Sequence, residues 1–163
     1  MDPPSVTFRP IGVVHSPFRH PPGTPIQSSA GEGVAGTVEI LPEHAPGLRD
    51  LDGFSHVILL YQFHLSGAHR LQVVPYLDDR PRGVFATRSP SRPNAIGLSV
   101  VRLLGVEGNV LHVRDLDVVD GTPLLDIKPY VPRFDAPEDV TVGWLEGNLE
   151  KLPSTRDDGR FEG

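Results

Sequence analysis

At 163 residues and with no cysteine, the chain suits one domain and leaves out disulfides, thiolate zinc sites and cysteine nucleophiles. Its 17 glycines and 18 prolines exceed a fifth of the residues but are scattered, which excludes a helix bundle and favours short strands joined by frequent turns. The net charge of −6 argues against a general basic surface for nucleic acid, and no apolar run reaches the roughly 20 residues of a membrane helix.

The N-terminus, MDPPSVTFRP, has no apolar stretch of signal-peptide length, so a cytoplasmic protein without membrane contact is expected. Phe8 to Ser16 reads as a strand, followed by a Pro-, Gly- and Ser-rich loop over Pro17 to Ala30. Gly33 to Leu41 alternates apolar and polar residues, as a half-buried strand does. Pro42 to Asp52 has room for one helical turn. Phe54 to Phe63 is the longest apolar run and predicts a fully buried central strand.

Gly83 to Ala86 predicts a short strand, and Thr87 to Asn94 a loop stiffened by Pro90 and Pro93. Ile96 to Val106 and Val110 to Val119 flank Glu107-Gly108-Asn109, a hairpin signal. After the turn Asp120-Gly121-Thr122-Pro123 comes a strand over Leu124 to Tyr130. Pro137 to Leu149 predicts a short helix near the C-terminus. The expected fold is mainly β, about seven strands in a small closed or nearly closed barrel, since closure removes exposed strand edges.

Two stretches between Gly83 and Tyr130 carry chemistry. The first is Thr87-Arg88-Ser89-Pro90-Ser91-Arg92-Pro93-Asn94, which displays two arginines and two serines on a stiff backbone. Arginine pairs well with carboxylates and phosphates, and a stiff loop loses less entropy on binding. A surface turn with solvated arginines fits the same residues. The second is the strand Leu124 to Tyr130, in which pleating puts Leu124, Asp126, Lys128 and Tyr130 on one face and Leu125 and Ile127 on the other. A carboxylate, an ammonium and a phenol on one face can wall a polar pocket, or form a solvated ion pair of little energy. His64 follows the apolar run at a strand end; the seven histidines show no compact metal-ligand spacing, so no metal is expected.

Several ordered motifs between about residues 8 and 134 resemble the TrmO/TsaA-like family of S-adenosylmethionine-dependent tRNA (adenine-N6)-methyltransferases. They are Ile11-Gly12-Val13-Val14-His15-Ser16-Pro17-Phe18, Gln27, Gly47-Leu48-Arg49-Asp50-Leu51-Asp52-Gly53-Phe54, Phe63-His64, and Gly83 through Asn94. Ile96-Gly97-Leu98-Ser99, Leu116-Asp117-Val118-Val119-Asp120-Gly121-Thr122-Pro123 and Asp126-Ile127-Lys128-Pro129-Tyr130 complete the set. Ala95 stands where the family usually has proline, and many bacterial members continue into a further C-terminal domain.

The resemblance implies a β-barrel methyltransferase unlike the Rossmann-type enzymes, working as a homodimer with its site near the subunit interface. Residues 1–152 would be the barrel domain and 153–163 a flexible acidic tail. The implied acceptor is tRNA, at N6 of the threonylcarbamoyl-modified adenosine 3′ of the anticodon. S-adenosylmethionine would be held by Pro25, Ile26, Gln27, Phe63, His64, Arg88, Leu98, Leu125, Asp126, Ile127 and Lys128. Asp126, with Tyr130 and Lys128, would orient or deprotonate the acceptor, and Arg92 and Asn94 would bind it. Two alternatives share this fold: a methyltransferase of small molecules, and a non-catalytic S-adenosylmethionine- or RNA-binding module.

Overall fold

A computed structural model describes residues 1–27 and 31–162; the end of the Pro17–Ala30 loop and Gly163 lie outside the described residues. Six strands close a barrel: β1 (Gly12–His15), β2 (Ala35–Ile40), β3 (His56–Gln62), β6 (Ile96–Glu107), β7 (Val110–Arg114) and β8 (Thr122–Pro129). Their order is β1-β2-β7-β6-β3-β8, and β8 pairs back onto β1, so no barrel edge is left open. Every neighbouring pair is antiparallel.

Alternation decides what fills the barrel. Val14, Val38, Val57, Leu59, Val101, Leu111, Val113 and Leu124 all point inward and are at most 1% exposed. The apolar run at β3 is therefore not buried on both faces: Val57, Leu59 and Tyr61 point in, while Ile58 and Leu60 sit half-buried on the outer face. Its outward residues are apolar as well, which makes the run continuous. The Glu107-Gly108-Asn109 hairpin forms as expected, with Gly108 at φ +62°, a left-handed conformation that glycine adopts without strain.

Two register shifts bend the wall. Leu104 bulges between Leu103 and Gly105 opposite β7. Leu125 bulges in β8, because Leu60 pairs with Asp126 but the next residue, Tyr61, pairs with Leu124. The bulge reverses the pleat. Leu124 points into the core, and beyond the bulge it is Ile127 that packs against the core. Leu124 therefore does not share a face with Asp126 and Lys128, contrary to strict alternation.

Outside the barrel, β4 (Gln72–Val73) and β5 (Arg82–Gly83) form a two-stranded ladder, and Val84–Ala86 is a 3₁₀ turn where a strand is expected. The 42–52 region forms 3₁₀ turns over Pro42–Leu48 and Leu51–Gly53. No helix spans 137–149. One α-helical turn, α1 (Pro132–Asp135), comes earlier, and 3₁₀ turns follow at Gly143–Leu145 and Leu149–Ser154. Gly143 and Gly147 take φ of +55° and +79°, which breaks any continuous helix there.

The segment expected as a flexible tail is packed. Arg156 bridges Pro25 and Glu162 bridges Ser66. Phe161 is 7% exposed against Val73, Val84 and Tyr76. An aromatic side chain and two backbone pairings thus tie the acidic residues down.

Candidate functional site

A cleft of about 1040 Å³ opens beside the barrel, at the junction of the arginine loop, the 21–27 loop, the end of β3 and the C-terminal segment. Its walls are mostly apolar, with a few polar groups among them, the usual make-up of a small-molecule site.

The arginine loop builds one side. Thr87 Oγ1 donates to Val84 O at 2.7 Å, and Ser89 N donates to Thr87 Oγ1. Ser91 Oγ donates to Ala68 O at 2.8 Å, and Ser66 Oγ to Pro90 O at 2.9 Å. Ser89 and Ser91 are therefore buried struts, not displayed groups. Arg92 also turns inward: its Nη1 donates to Thr87 O (2.9 Å) and Ser89 O (3.2 Å). Arg88 is the exposed one of the two arginines, and its Nη1 donates to Gln27 Oε1 at 2.9 Å.

Pro25, Ile26, Gln27, Phe63, His64, Arg88, Leu98, Arg92 and Asn94 all line this cleft, so the fold brings together residues far apart in sequence. Gly97 lets the floor close. A Cβ there would lie 2.7 Å from Tyr61 Cζ and 2.9 Å from Phe63 Cζ. The Tyr61 and Phe63 rings meet edge to face, with centroids 5.5 Å apart.

Leu125, Asp126, Ile127, Lys128 and Tyr130 do not line the cleft. The bulge sends Asp126 and Lys128 to the outer face, where they form a 2.8 Å ion pair with side chains 44% and 59% exposed. That hydrogen bond pulls the Lys128 pKa upward. Tyr130 stacks edge-on against His56, with centroids 6.3 Å apart. The two regions are still neighbours. Leu98, Leu60 and Asp126 are paired in line across β6, β3 and β8, two inter-strand steps of roughly 4.8 Å.

Three contributions escape sequence reasoning. Asp117 reaches the cleft floor, where Ser99 Oγ donates to its Oδ1 at 2.6 Å. Because that proton is committed, the 2.8 Å contact between Tyr61 and Ser99 has the phenol donating. Burial pushes the Asp117 carboxyl up to about 6, with the Ser99 hydrogen bond and Arg88 pulling back; burial also raises Tyr61. The C-terminal segment supplies a wall through Trp144, Leu145, Leu149 and Phe161. Trp144 is anchored by Nε1 donating to Ala86 O at 2.8 Å and by Arg82 lying 5.5 Å over its ring. Tyr76 also faces the cleft, and its buried hydroxyl has no partner among the described residues. Asp117 stands inside a motif the sequence displays, but nothing local marks it as facing a ligand.

Among the described residues, no three His, Cys, Asp or Glu side chains gather as a metal ion would need, and no helix is long and apolar enough to cross a membrane.

The family model for the tRNA-methyltransferase O N-terminal domain matches residues 13–136, the barrel and the arginine loop together. The chain belongs to this methyltransferase family. A "probable S-adenosyl-L-methionine-binding protein" of Pyrococcus abyssi is 56% identical over 96% of this chain and 85% of its own length. The human "tRNA (adenine(37)-N6)-methyltransferase" is 39% identical over 90% of this chain but only 35% of its own length. A crystal structure of TrmO from Pseudomonas aeruginosa superposes with a TM-score of 0.73 at 40% identity, covering 86% of this chain and 62% of that one. The chain thus spans under two thirds of that structure and about a third of the human enzyme.

Proposed function

We propose that the chain transfers a methyl group from S-adenosylmethionine to N6 of the threonylcarbamoyl-modified adenosine 3′ of the anticodon in tRNA. The observation that carries this reading is the cleft where Gln27, Phe63, Arg88 and Leu98 converge, within the matched family region.

The residues present suit such a donor. Phe63, Leu98 and Trp144 offer apolar surface to a nucleoside, and Arg88 offers a guanidinium to a carboxylate. When bound, the donor supplies an electrophilic methyl on a sulfonium, open to direct displacement. The chain's contribution is then alignment, which in well-oriented reactions is worth about 7–11 kcal/mol of barrier. Gln27 holds Arg88 in place, the Tyr61–Phe63 pair keeps the floor rigid, and Trp144 and Phe161 shield the cleft from water.

Asp126, Lys128 and Tyr130 enter this reading through a homodimer. Ile58, Leu60, Leu98 and Val100 form an apolar outer face that runs from the cleft rim to the Asp126–Lys128 pair. Two copies joined along this face bring the pair of one opposite the cleft of the other, where Asp126 is placed to orient the acceptor nitrogen.

The test is mass spectrometry of tRNA nucleosides from cells with and without the protein, with incorporation of labelled methyl into bulk tRNA in vitro. A fall in methylated threonylcarbamoyl-adenosine supports the reading, and an unchanged level overturns it. One observation favours a second reading, a small-molecule acceptor: the C-terminal segment carries exposed Glu146, Glu150 and Glu162, which repel RNA phosphates. Methyl incorporation from a metabolite panel, with none into tRNA, identifies that case.

A further inference from the structure

The donor reading leaves the Asp117 carboxylate in the cleft without a task. Asp117 follows β7, is half-buried and lines the cleft floor. Two hydroxyls in series point at it, Tyr61 donating to Ser99 and Ser99 donating to Asp117 Oδ1. Tyr61 is 5% exposed and Ser99 2%, so this chain of donors is fixed in the barrel. Aligned donors of this kind favour the ionised carboxylate.

No Lys, Arg or His among the described residues lies within ion-pair distance of Asp117. Arg88 is near enough to lower its pKa, but is held by Gln27 instead. A carboxylate and a guanidinium thus face one cleft, close but unpaired. Neither is a natural floor for a neutral ligand, because covering a charge with an apolar group strips its water without replacing it. Together they complement a ligand that carries both signs on adjacent atoms.

We propose that Asp117 is a donor-recognition residue: it accepts a charge-assisted hydrogen bond from the α-ammonium of the donor's amino-acid head while Arg88 binds the α-carboxylate. The two groups on one α-carbon are met by the two side chains at once. The exocyclic amine of an adenine could also donate to Asp117, but would leave Arg88 facing no anion. The Tyr61–Ser99 chain is the positioning element, fixing the carboxylate before the ligand arrives so that little ordering cost falls on binding.

This inference rests on the donor reading above, and the experiment separates the two. Calorimetric titration of the full chain uses two ligands that share a thioether nucleoside: S-adenosylhomocysteine, with the amino-acid head, and 5′-methylthioadenosine, without it. Asp117→Asn is expected to weaken S-adenosylhomocysteine roughly tenfold or more and to leave 5′-methylthioadenosine within about twofold. In the wild type, affinity for S-adenosylhomocysteine falls as pH is lowered through about 6, and in Asp117→Asn that dependence is lost. Equal losses for both ligands would reduce Asp117 to a structural part of the floor and overturn the inference. So would an unchanged affinity for S-adenosylhomocysteine, or a wild-type affinity for it that stays flat through pH 6. Wild-type protein that binds neither ligand would remove the donor reading, and this inference with it.

Discussion

Gln27 Oε1 accepts a hydrogen bond from Arg88 Nη1 at 2.9 Å, joining two loops 61 residues apart at the mouth of the cleft. Arg88 is exposed, so Gln27 is what gives a long, flexible side chain a preferred direction. Arg88→Ala is expected to weaken donor binding by about 1.5–3 kcal/mol, the range for hydrogen bonds to charged groups. Arg88→Lys does not restore it, because an ammonium cannot bind Gln27 and a carboxylate in one plane. Gln27→Ala raises KM for the donor with a smaller change in kcat. Steady-state kinetics over a range of donor concentrations checks all three.

Gly97→Ala places a methyl against Tyr61 and Phe63, the two rings that make the floor. The neighbours are ring carbons of buried Tyr61 and half-buried Phe63, which pack edge to face and cannot give way easily. A loss of about 1–3 kcal/mol in stability is expected from overpacking, read by urea denaturation. The same variant displaces the Tyr61 hydroxyl from Ser99, so donor affinity falls as well.

Asp117 costs stability at neutral pH. Its folded pKa is about 6 and its usual value is 3.8, so between those two the folded protein binds the extra proton. By linkage, this group's contribution falls as pH rises through that window and is fully lost above about 6. The bound on the effect is about 3 kcal/mol, reduced by the part of the carboxylate that meets solvent. Asp117→Asn is therefore expected to match the wild type near pH 4 and to be more stable at pH 7. Denaturation curves at both pH values measure the difference; a variant less stable at pH 7 overturns the expectation. A destabilising charge kept in a cleft is the usual mark of function over stability.

Phe161→Ala empties the small cluster with Val73, Val84 and Tyr76. About 3–5 kcal/mol is the usual cost of removing a buried phenyl group. The barrel core is separate from this cluster, so the loss falls on the C-terminal segment. Hydrogen exchange is expected to rise at Gly67 and Asp157, whose amides bond across this junction, and to stay unchanged at Leu59 and Leu111.

Asp126→Asn breaks an exposed ion pair and costs under about 1 kcal/mol of stability. If Asp126 reaches the acceptor across a dimer, turnover falls at unchanged donor affinity. Leu60→Glu charges the outer face proposed to join two copies, between Leu98 and Asp126, and on that proposal is expected to halve the mass in light scattering and to lose turnover with it.

The barrel is legible in the amino-acid order because its signals are local. Alternation in Ile96 to Glu107 and in Val110 to Arg114 sets which residues fill the core, and Gly108 makes the turn between them. The family motifs likewise mark Gln27, Phe63-His64, Arg88 and Leu98 as one constellation, and they converge on one cleft.

Three matters rest on contacts between distant parts of the chain, and so on the folded molecule alone. The face of Asp126 and Lys128 turns on the Leu125 bulge, which exists only because β8 must stay in register with β3 on both sides of the Leu60–Tyr61 step. Pleating counted along one strand cannot see it. The roles of Ser89, Ser91 and Arg92 turn on carbonyls brought near by the fold, which convert an apparent ligand loop into a self-braced one. Asp117 acquires its raised pKa and its place in the cleft from Ser99 and Tyr61, 18 and 56 residues earlier. Desolvation and hydrogen-bond direction are properties of three-dimensional surroundings, and no local pattern of residue types encodes them.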